Sequence, residues 1–325
     1  MQSFEYANPT TVQEATAQLG ASWGHTYVLA GGTDLISLMK EHLETPRRVV
    51  NIKNIKELEG ISKTGTELRI GALVTMDEVA RNAEVRAGWK AIADAAEGVP
   101  SPQIRHVGTA AGDLCQRPRC WYYRQGFGLL AMKDGQPLVP NGDNRYHAIF
   151  GGGPAYFVSA SSLGPALVAY GARVKLVSAK GAREMPVSEF FVAPKHETAR
   201  EVAMRPDEIL TEIIVPAGGT HSATYEVRQK MALDWPLVAA AVVVEMKGTA
   251  VGSAKVVLGH VAPTPWPAPL AARALIGKSI TTASAEAAGK AAVEGAQPLS
   301  HNAYKVQLAK VAVKRALLEA AHGKA

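Results

Sequence analysis

The stretch TYVLAGGTDLISLMKEHL, residues 26–43, decides the first part of the fold. Its apolar start predicts a β-strand, Gly31 and Gly32 predict a tight turn, and the residues that follow predict a helix. Successive glycines let several backbone N–H groups converge, and the start of a helix adds positive potential. The stretch therefore predicts an anion-binding loop, with a plain tight turn as the alternative. It is neither a G-x-G-x-x-G nor a Walker sequence.

A second turn of the same kind lies at GTAAGDL, residues 108–114. Two such loops could bind one diphosphate from both sides, because each would offer backbone N–H groups to the same anion. The pair puts a phosphate-binding function on an equal footing with two unrelated turns.

Length and composition exclude several classes of protein. The chain has 325 residues, enough for two or three domains, and its 47% hydrophobic and 20% charged residues are typical of globular proteins. The net charge of +6 is scattered, which gives only weak support to nucleic-acid binding. Two cysteines exclude a disulfide scaffold. The N-terminus has no signal-peptide pattern and the longest apolar run, 236–246, is about half a membrane span. We therefore expect a soluble cytoplasmic protein without a membrane segment.

The rest of the chain alternates between strand and helix patterns. Pro/Gly-rich residues after a strand within 208–219 give the clearest candidate domain boundary. Three strands without long crossovers follow it, which favours an antiparallel sheet. A final helix has apolar residues on two sides, so we expect it to be sandwiched. The predicted elements are strands at 47–52, 67–72, 224–232, 236–247 and 253–262, helices at 89–97 and 302–321, and a hairpin around 180–181.

Four spaced motifs resemble one family. The motifs AGGTDLISLMK (30–40), GTAAGDL (108–114), ILTEIIVP (209–216) and YKVQLAKVAVKRAL (304–317) are similar to the FAD-binding subunits of molybdenum hydroxylases. That group includes the xanthine dehydrogenase and carbon monoxide dehydrogenase flavoproteins. The resemblance covers nearly the whole chain in order.

The resemblance implies an α+β fold in two domains. A vanillyl-alcohol-oxidase-like FAD-binding domain would cover 1–217, with a first part over about 1–55 and a second over about 56–217. An insertion would occupy about 116–158. A small C-terminal domain of antiparallel sheet and helices would cover 218–325.

The resemblance also implies the residues that bind the cofactor. In the second loop Asp113 stands where the family has an asparagine, which removes an amide donor and adds a negative charge near a phosphate. Ser162 stands where the family has an aspartate, and Lys230 stands where it often has a basic residue beside the flavin. The residues carried over are Tyr27, Val28, Leu29, Ala30, Gly31, Gly32, Thr33, Asp34, Leu35, Thr109, Ala111, Gly112, Asp113, Ser162 and Lys230.

Both cysteines lie in CQRPRCWYYR (115–124), Cys115 directly before the insertion and Cys120 within it. The insertion resembles the one in the 4-hydroxybenzoyl-CoA reductase and periplasmic aldehyde oxidoreductase flavoproteins, which holds a [4Fe–4S] cluster with four cysteines. Cys115 and Cys120 have C-x4-C spacing, but Tyr123 stands where a third cysteine would be needed. We therefore predict a loop without a [4Fe–4S] cluster, and no other metal ligand spacing is visible. Arg119, Trp121, Tyr122 and Arg124 would cover the flavin or face a partner, with ordinary packing as the alternative.

The family implies a function in electron transfer. Such a subunit holds FAD non-covalently and takes electrons from the [2Fe–2S] clusters of a small partner, which receives them from a large molybdopterin subunit. It then passes them to an external acceptor such as NAD, oxygen or a quinone. No catalytic acid–base constellation is visible, which is consistent with that role. The alternatives are a stand-alone flavin oxidase and a non-catalytic anion- or nucleic-acid-binding protein. Export attached to a partner would place the chain in the periplasm.

Four further side chains carry expectations of their own. The start of the strand in MALDWPLVAAA (231–241) could place Asp234 and Trp235 near the flavin ring. The alternative is a turn residue and a core aromatic. His260 has no visible partner in the sequence, so we interpret it as structural, and the same holds for His301.

Overall fold

A computed structural model describes residues 1–217, 221–230 and 232–322. The glycines of the predicted linker and the proposed boundary at 217/218 fall on residues 218–220, outside the described residues.

The described residues form strands and helices whose bounds follow. The strands are β1 (Glu5–Ala7), β2 (Thr26–Leu29), β3 (Arg48–Asn51), β4 (Ile61–Thr64), β5 (Glu67–Gly71), β6 (Met132–Lys133), β7 (Gln136–Pro137), β8 (Arg173–Ser178), β9 (Gly181–Pro186), β10 (Ile209–Val215), β11 (His221–Arg228), β12 (Pro236–Lys247), β13 (Ala250–Gly259) and β14 (Trp266–Pro267). The helices are α1 (Val12–Ala17), α2 (Leu35–Lys40), α3 (Met76–Arg81), α4 (Ala83–Gly88), α5 (Lys90–Glu97), α6 (Pro102–Val107), α7 (Ala110–Cys115), α8 (Trp121–Arg124), α9 (Leu138–Asn141), α10 (Gly164–Tyr170), α11 (Val187–Phe190), α12 (Pro269–Leu275), α13 (Thr282–Ala291) and α14 (Tyr304–His322).

The first sheet is parallel and has the order β1-β3-β2. The predicted strand, turn and helix at the first glycine pair are confirmed, since β2 ends at Leu29 and α2 begins at Leu35. Helix α2 then leads to β3, which runs parallel to β2 with Tyr27 opposite Val49. This crossover places the glycine turn at the carboxyl end of β2, an edge where α/β folds bind ligands.

The second sheet is antiparallel and has the order β4-β5-β10-β8-β9. The predicted hairpin at 180–181 is confirmed as β8 and β9, with Ser178 opposite Gly181. Strand β10 comes late in the sequence and lies between β5 and β8. Its buried Ile213 and Val215 join the main core with Leu68 and Ile70 of β5. The segment that follows β5 in this sheet contacts the second glycine turn.

The C-terminal sheet is antiparallel, as the sequence predicts, and has the order β11-β12-β13-β14, in which the short β14 is an additional strand. Helix α14 contacts β11 and β12 on one side and α13 on the other, which confirms that it is sandwiched. Val313 and Leu317 on α14 are fully buried in a second core. No helix in the described parts of the chain is both long and apolar enough to cross a membrane.

The predicted insertion packs against both domains. Tyr123, Leu129 and Phe157 form a small core with Leu38 of α2. At its other end the fully buried Lys305 of α14 donates from Nζ to three backbone carbonyls. These belong to Tyr146 at 3.2 Å, His147 at 3.1 Å and His260 at 2.6 Å. One ammonium group therefore joins the insertion, α14 and the end of β13, and a buried charge of this kind requires all its hydrogen bonds.

Candidate functional site

The first glycine loop lies directly against the second. A Cβ on Gly31 would stand 2.0 Å from the carbonyl oxygen of Val107 and 3.1 Å from Cα of Gly108, so only glycine allows this approach. Gly32 has a φ of +73°, in the left-handed region that favours glycine. Glycine is thus required at the two positions for different reasons: Gly31 allows the close contact between the loops, and Gly32 allows the backbone conformation of the turn.

The second loop is held by the segment that follows β5. The N–H of Ala110 donates to Val74 at 2.7 Å, and the carbonyl of Gly108 accepts from Met76 at 2.9 Å. The side chain of Thr109 caps α7 by accepting from Gly112 N–H at 3.1 Å. Both loops are therefore fixed by separate sheets and meet at Gly31.

The two loops line a cavity of about 140 Å³. Helices α2 and α7, which follow the two loops, have only six residues each. An anion in the cavity would therefore be bound by the free N–H groups of their first turns and not by the dipole of a long helix. Ten of the fifteen residues predicted to bind the cofactor line this cavity: Tyr27, Val28, Ala30, Gly31, Gly32, Thr33, Asp34, Leu35, Thr109 and Gly112.

The other five predicted residues lie outside this lining. Leu29 and Ala111 are adjacent to it, and Lys230 is exposed, with its N–H donating to Asp234 at 3.0 Å. Asp113 is buried, and its carboxylate accepts from Ser161 Oγ at 2.6 Å and from the N–H of Ser162 at 3.1 Å. It also accepts from Leu163 N–H at 2.9 Å. The structure therefore shows Asp113 holding the start of α10, where the sequence predicted a charge facing a phosphate.

Four arginines surround the cavity. Arg119 and Arg124 each lie within 2.9 Å of Asp34 Oδ1, and the N–H of Arg117 donates to Asp34 Oδ2 at 2.7 Å. Arg117 also pairs with Glu201 at 3.1 Å and Glu44 at 3.7 Å. Arg200 pairs with Glu201 at 3.7 Å.

The charged side chains that line the cavity itself are two arginines and Asp34, which leaves one excess positive charge suited to an anion. Arg117 and Arg200 line the cavity, and sequence analysis missed both as site residues. The basic cluster at 117–124 was the only signal in the sequence for the first of them.

A second cavity of about 170 Å³ lies between the insertion and the C-terminal domain. The insertion contributes Arg119, Trp121 and His147, and the C-terminal domain contributes Trp235 and His260. Asp234 also lines it, so the two residues that the sequence singled out before β12 do face a cavity. Aromatic walls with a few polar groups are typical of sites for planar ligands.

Two buried histidines at this cavity are neutral. Burial, with the positive charge of Lys305, lowers the pKa of His147 to about 4 and that of His260 to about 3. Arg228 contributes to the second shift. His147 Nδ1 and His260 Nε2 have no hydrogen-bond partner, although both atoms are buried. His260 therefore has a candidate role beyond the structural one that the sequence indicated.

The residues present fit FAD. The first cavity offers N–H groups and net positive charge for a diphosphate, and the second offers aromatic walls. Buried nitrogens without a hydrogen-bond partner line the second cavity, on Arg119 Nε and the two imidazoles. At the first cavity Arg200 Nε has no hydrogen bond, only the 3.7 Å ion pair with Glu201. Buried polar atoms without partners are rare in proteins, and a bound FAD would provide partners for those that line the cavities.

Both cysteines are protonated thiols. Burial raises the pKa of Cys115 to about 12 and also raises the pKa of Cys120. Cys120 Sγ lies 3.1 Å from Nε2 of His147. Among the described residues no group of three or more His, Cys, Asp or Glu side chains is arranged to hold a metal ion.

Replacing either cysteine is expected to change little. Cys115→Ser and Cys120→Ser should keep near wild-type flavin content and lose about 1 kcal/mol of stability, because a hydroxyl replaces a buried thiol. Iron analysis and electron paramagnetic resonance of anaerobically purified protein check the prediction. If the wild type contains stoichiometric iron and either variant loses it, the loop does hold a [4Fe–4S] cluster and the prediction is wrong.

Two family models match the chain. The model for the FAD binding domain in molybdopterin dehydrogenase matches residues 2–218. The model for the CO dehydrogenase flavoprotein C-terminal domain matches residues 223–320.

Known relatives match over almost their full length. The carbon monoxide dehydrogenase medium chain of Hydrogenophaga pseudoflava is 30% identical, over 97% of this chain and 96% of the relative. The aldehyde oxidoreductase FAD-binding subunit PaoB of Escherichia coli is 29% identical, over 98% and 99%. The solved carbon monoxide dehydrogenase from Hydrogenophaga pseudoflava that lacks the Mo-pyranopterin moiety matches with a TM-score of 0.76 and 28% identity, over 98% of this chain and 97% of that one.

Proposed function

This chain belongs to the FAD-binding subunits of the molybdenum hydroxylase family, and from that membership we propose how it works. It holds one FAD non-covalently, with the diphosphate at its two glycine loops, and passes electrons through it within a multi-subunit enzyme. The observation that carries the proposal is the contact of Gly31 with Val107. No side chain fits there, and the two loops together face a cationic cavity.

Specific groups of the chain would hold the cofactor. The backbone N–H groups of Gly31, Gly32 and Thr33 face the phosphates from the first loop, and those of α7 face them from the second. Arg117 and Arg200 supply the positive charge that a diphosphate requires. The proposed binding set keeps all fifteen residues from the sequence, with Asp113 acting through the segment 161–163 rather than by direct contact.

The second cavity is the proposed place for the flavin ring. When bound, FAD accepts and releases electron pairs at that ring. Trp121 and Trp235 line the cavity and would supply apolar surface for the ring. His147 and His260 stay neutral at physiological pH, so they offer hydrogen bonds without adding charge. The chain positions the ring and controls access to it, and no proton-transfer pair is needed for that work.

The proposed partners follow from the family. A large molybdopterin-binding subunit would oxidise the organic substrate, and a small [2Fe–2S] subunit would relay its electrons to this chain. We assign neither a nucleic acid nor a membrane as a partner. The proposed location is the cytoplasm, with the periplasm only if the chain is exported while attached to a partner.

Two other functions remain distinguishable from this one. A stand-alone flavin oxidase would use the second cavity for its own substrate, and the aromatic lining favours that alternative over the next. A non-catalytic anion- or nucleic-acid-binding protein would use the cationic cavity alone. Its binding would weaken steeply as salt rises.

Purified chain is expected to be yellow, with about one FAD per chain that acid or heat releases. It should oxidise no organic substrate of the parent enzyme, because that step belongs to the molybdenum subunit, although it can transfer electrons between NADH or a reduced dye and an acceptor. Absorbance spectra and turnover assays on the molybdenum-free chain check this. Substrate oxidation by the lone chain would favour the stand-alone oxidase, and a colourless chain with salt-sensitive DNA binding would favour the third function.

A further inference from the structure

Arg119 of the insertion joins the two cavities. Its Nη1 lies 2.9 Å from Asp34, directly after the first glycine loop, and its guanidinium stacks on Trp235 with 4.5 Å to the ring centroid. Nη2 donates to Gln116 at 2.9 Å. The side chain also lines the second cavity, and its Nε is buried without a hydrogen-bond partner. One residue thus contacts the diphosphate loop, the insertion and the C-terminal domain.

We propose that Arg119 is a cofactor-contacting residue that holds the flavin at the junction of the two cavities and favours its reduced form. The inference rests on the proposed function and adds a role for the insertion. The unpartnered Nε–H is a buried donor that a group bound in the second cavity would satisfy, and the arginine stack fixes its direction. A fixed positive charge beside the ring stabilises the electron-rich reduced flavin more than the oxidised one.

Arg124 provides a matched control. It comes from the same insertion, lies 2.8 Å from the same Asp34 oxygen and stacks on Tyr123 with 5.8 Å to the centroid. Its Nε already donates to the carbonyl of Pro118 at 2.9 Å. Arg124 lies near Asp34 but lines neither the diphosphate cavity nor the second cavity. A purely structural role in holding Asp34 would therefore make the two arginines equivalent.

The test compares Arg119→Gln with Arg124→Gln in the full chain. For each we would measure the Kd for FAD, the midpoint potential of the bound flavin and the thermal unfolding of the flavin-free chain. We expect Arg119→Gln alone to raise the Kd about tenfold, the loss of one charge-assisted hydrogen bond. We also expect the midpoint potential of the flavin bound to Arg119→Gln to fall by about 30 mV, which is a tenfold change in the equilibrium constant for a two-electron couple. Unfolding temperatures of the two variants should be similar.

The outcomes separate the two levels of the proposal. A yellow wild-type chain in which both variants shift alike, or neither shifts, overturns the role of Arg119. A colourless wild-type chain overturns the proposed function itself, and with it this inference. If the glutamine variants do not fold, Arg119→Lys and Arg124→Lys repeat the comparison. A lysine keeps the charge but neither stacks nor reproduces the Nε–H, so only Arg119→Lys should then weaken FAD binding.

Discussion

Gly31→Ala is expected to remove most of the FAD from the purified chain. The new Cβ would lie 2.0 Å from the carbonyl oxygen of Val107, so the two loops must separate by more than about 1 Å. The second loop does not move easily, because Gly108 and Ala110 are hydrogen-bonded to the segment after β5. Forced contacts of this kind cost about 1–3 kcal/mol, and the diphosphate contacts are lost with the geometry. A loss of about 3 kcal/mol in binding corresponds to more than a hundredfold in Kd.

Gly88→Ala is the matched control for that variant. It is also a glycine-to-alanine change, yet its Cβ would meet nothing within 4 Å and its φ lies outside the left-handed region. Flavin content from the 450-nm region of the spectrum and Kd from FAD titration compare the two. Full flavin occupancy in Gly31→Ala would show that the phosphate site lies elsewhere.

Local sequence patterns predicted the parts of the fold that neighbouring residues control. The first glycine turn, the hairpin at 180–181 and the three C-terminal strands need only turn residues and apolar periodicity, and each has the predicted type. The order of the strands is a different matter. Strand β10 pairs with β5, whose residues precede it by about 140 positions, and no periodicity encodes that choice.

The site shows the same division. The glycines of both loops are visible in the sequence because the conformations they allow are local. Arg200 reaches the first cavity through tertiary packing alone, and nothing near position 200 marks it. The Asp113 carboxylate binds residues 161–163, about 50 positions away in the sequence. The sequence alone does not show that this segment lies beside Asp113, so the orientation of the carboxylate could not be predicted. Residue type therefore predicted which chemistry is present, whereas long-range contacts decided where it acts.

The two buried histidines should make the flavin-free chain sensitive to acid. An unfolded histidine has a pKa of about 6.5, whereas the folded pKa is about 4 for His147 and about 3 for His260. Between pH 6.5 and 4 the unfolded chain therefore binds up to two more protons than the folded one. Stability contributed by this pair is fully present above pH 6.5 and is lost as the pH falls.

The two histidines together are expected to contribute a loss of about 4 kcal/mol between pH 7.5 and pH 5, about 2 kcal/mol each at 1.36 kcal/mol per pH unit. Two other buried groups titrate in the same window. The pKa of Lys305 is lowered to about 7, which adds to the loss, and that of Glu226 is raised to about 7, which opposes it. The histidine contribution is therefore the difference in loss between the wild type and a histidine variant.

Urea unfolding at the two pH values measures the loss. His260→Asn is the suitable variant, because His260 has a φ of +59° and asparagine tolerates that conformation. It should reduce the pH-dependent loss by about 2 kcal/mol, as should His147→Gln. His196→Gln, at an exposed position, should leave the loss unchanged. An equal loss in the wild type and in both buried variants would mean that carboxylates elsewhere cause the acid sensitivity, and that these imidazoles titrate normally in the folded chain.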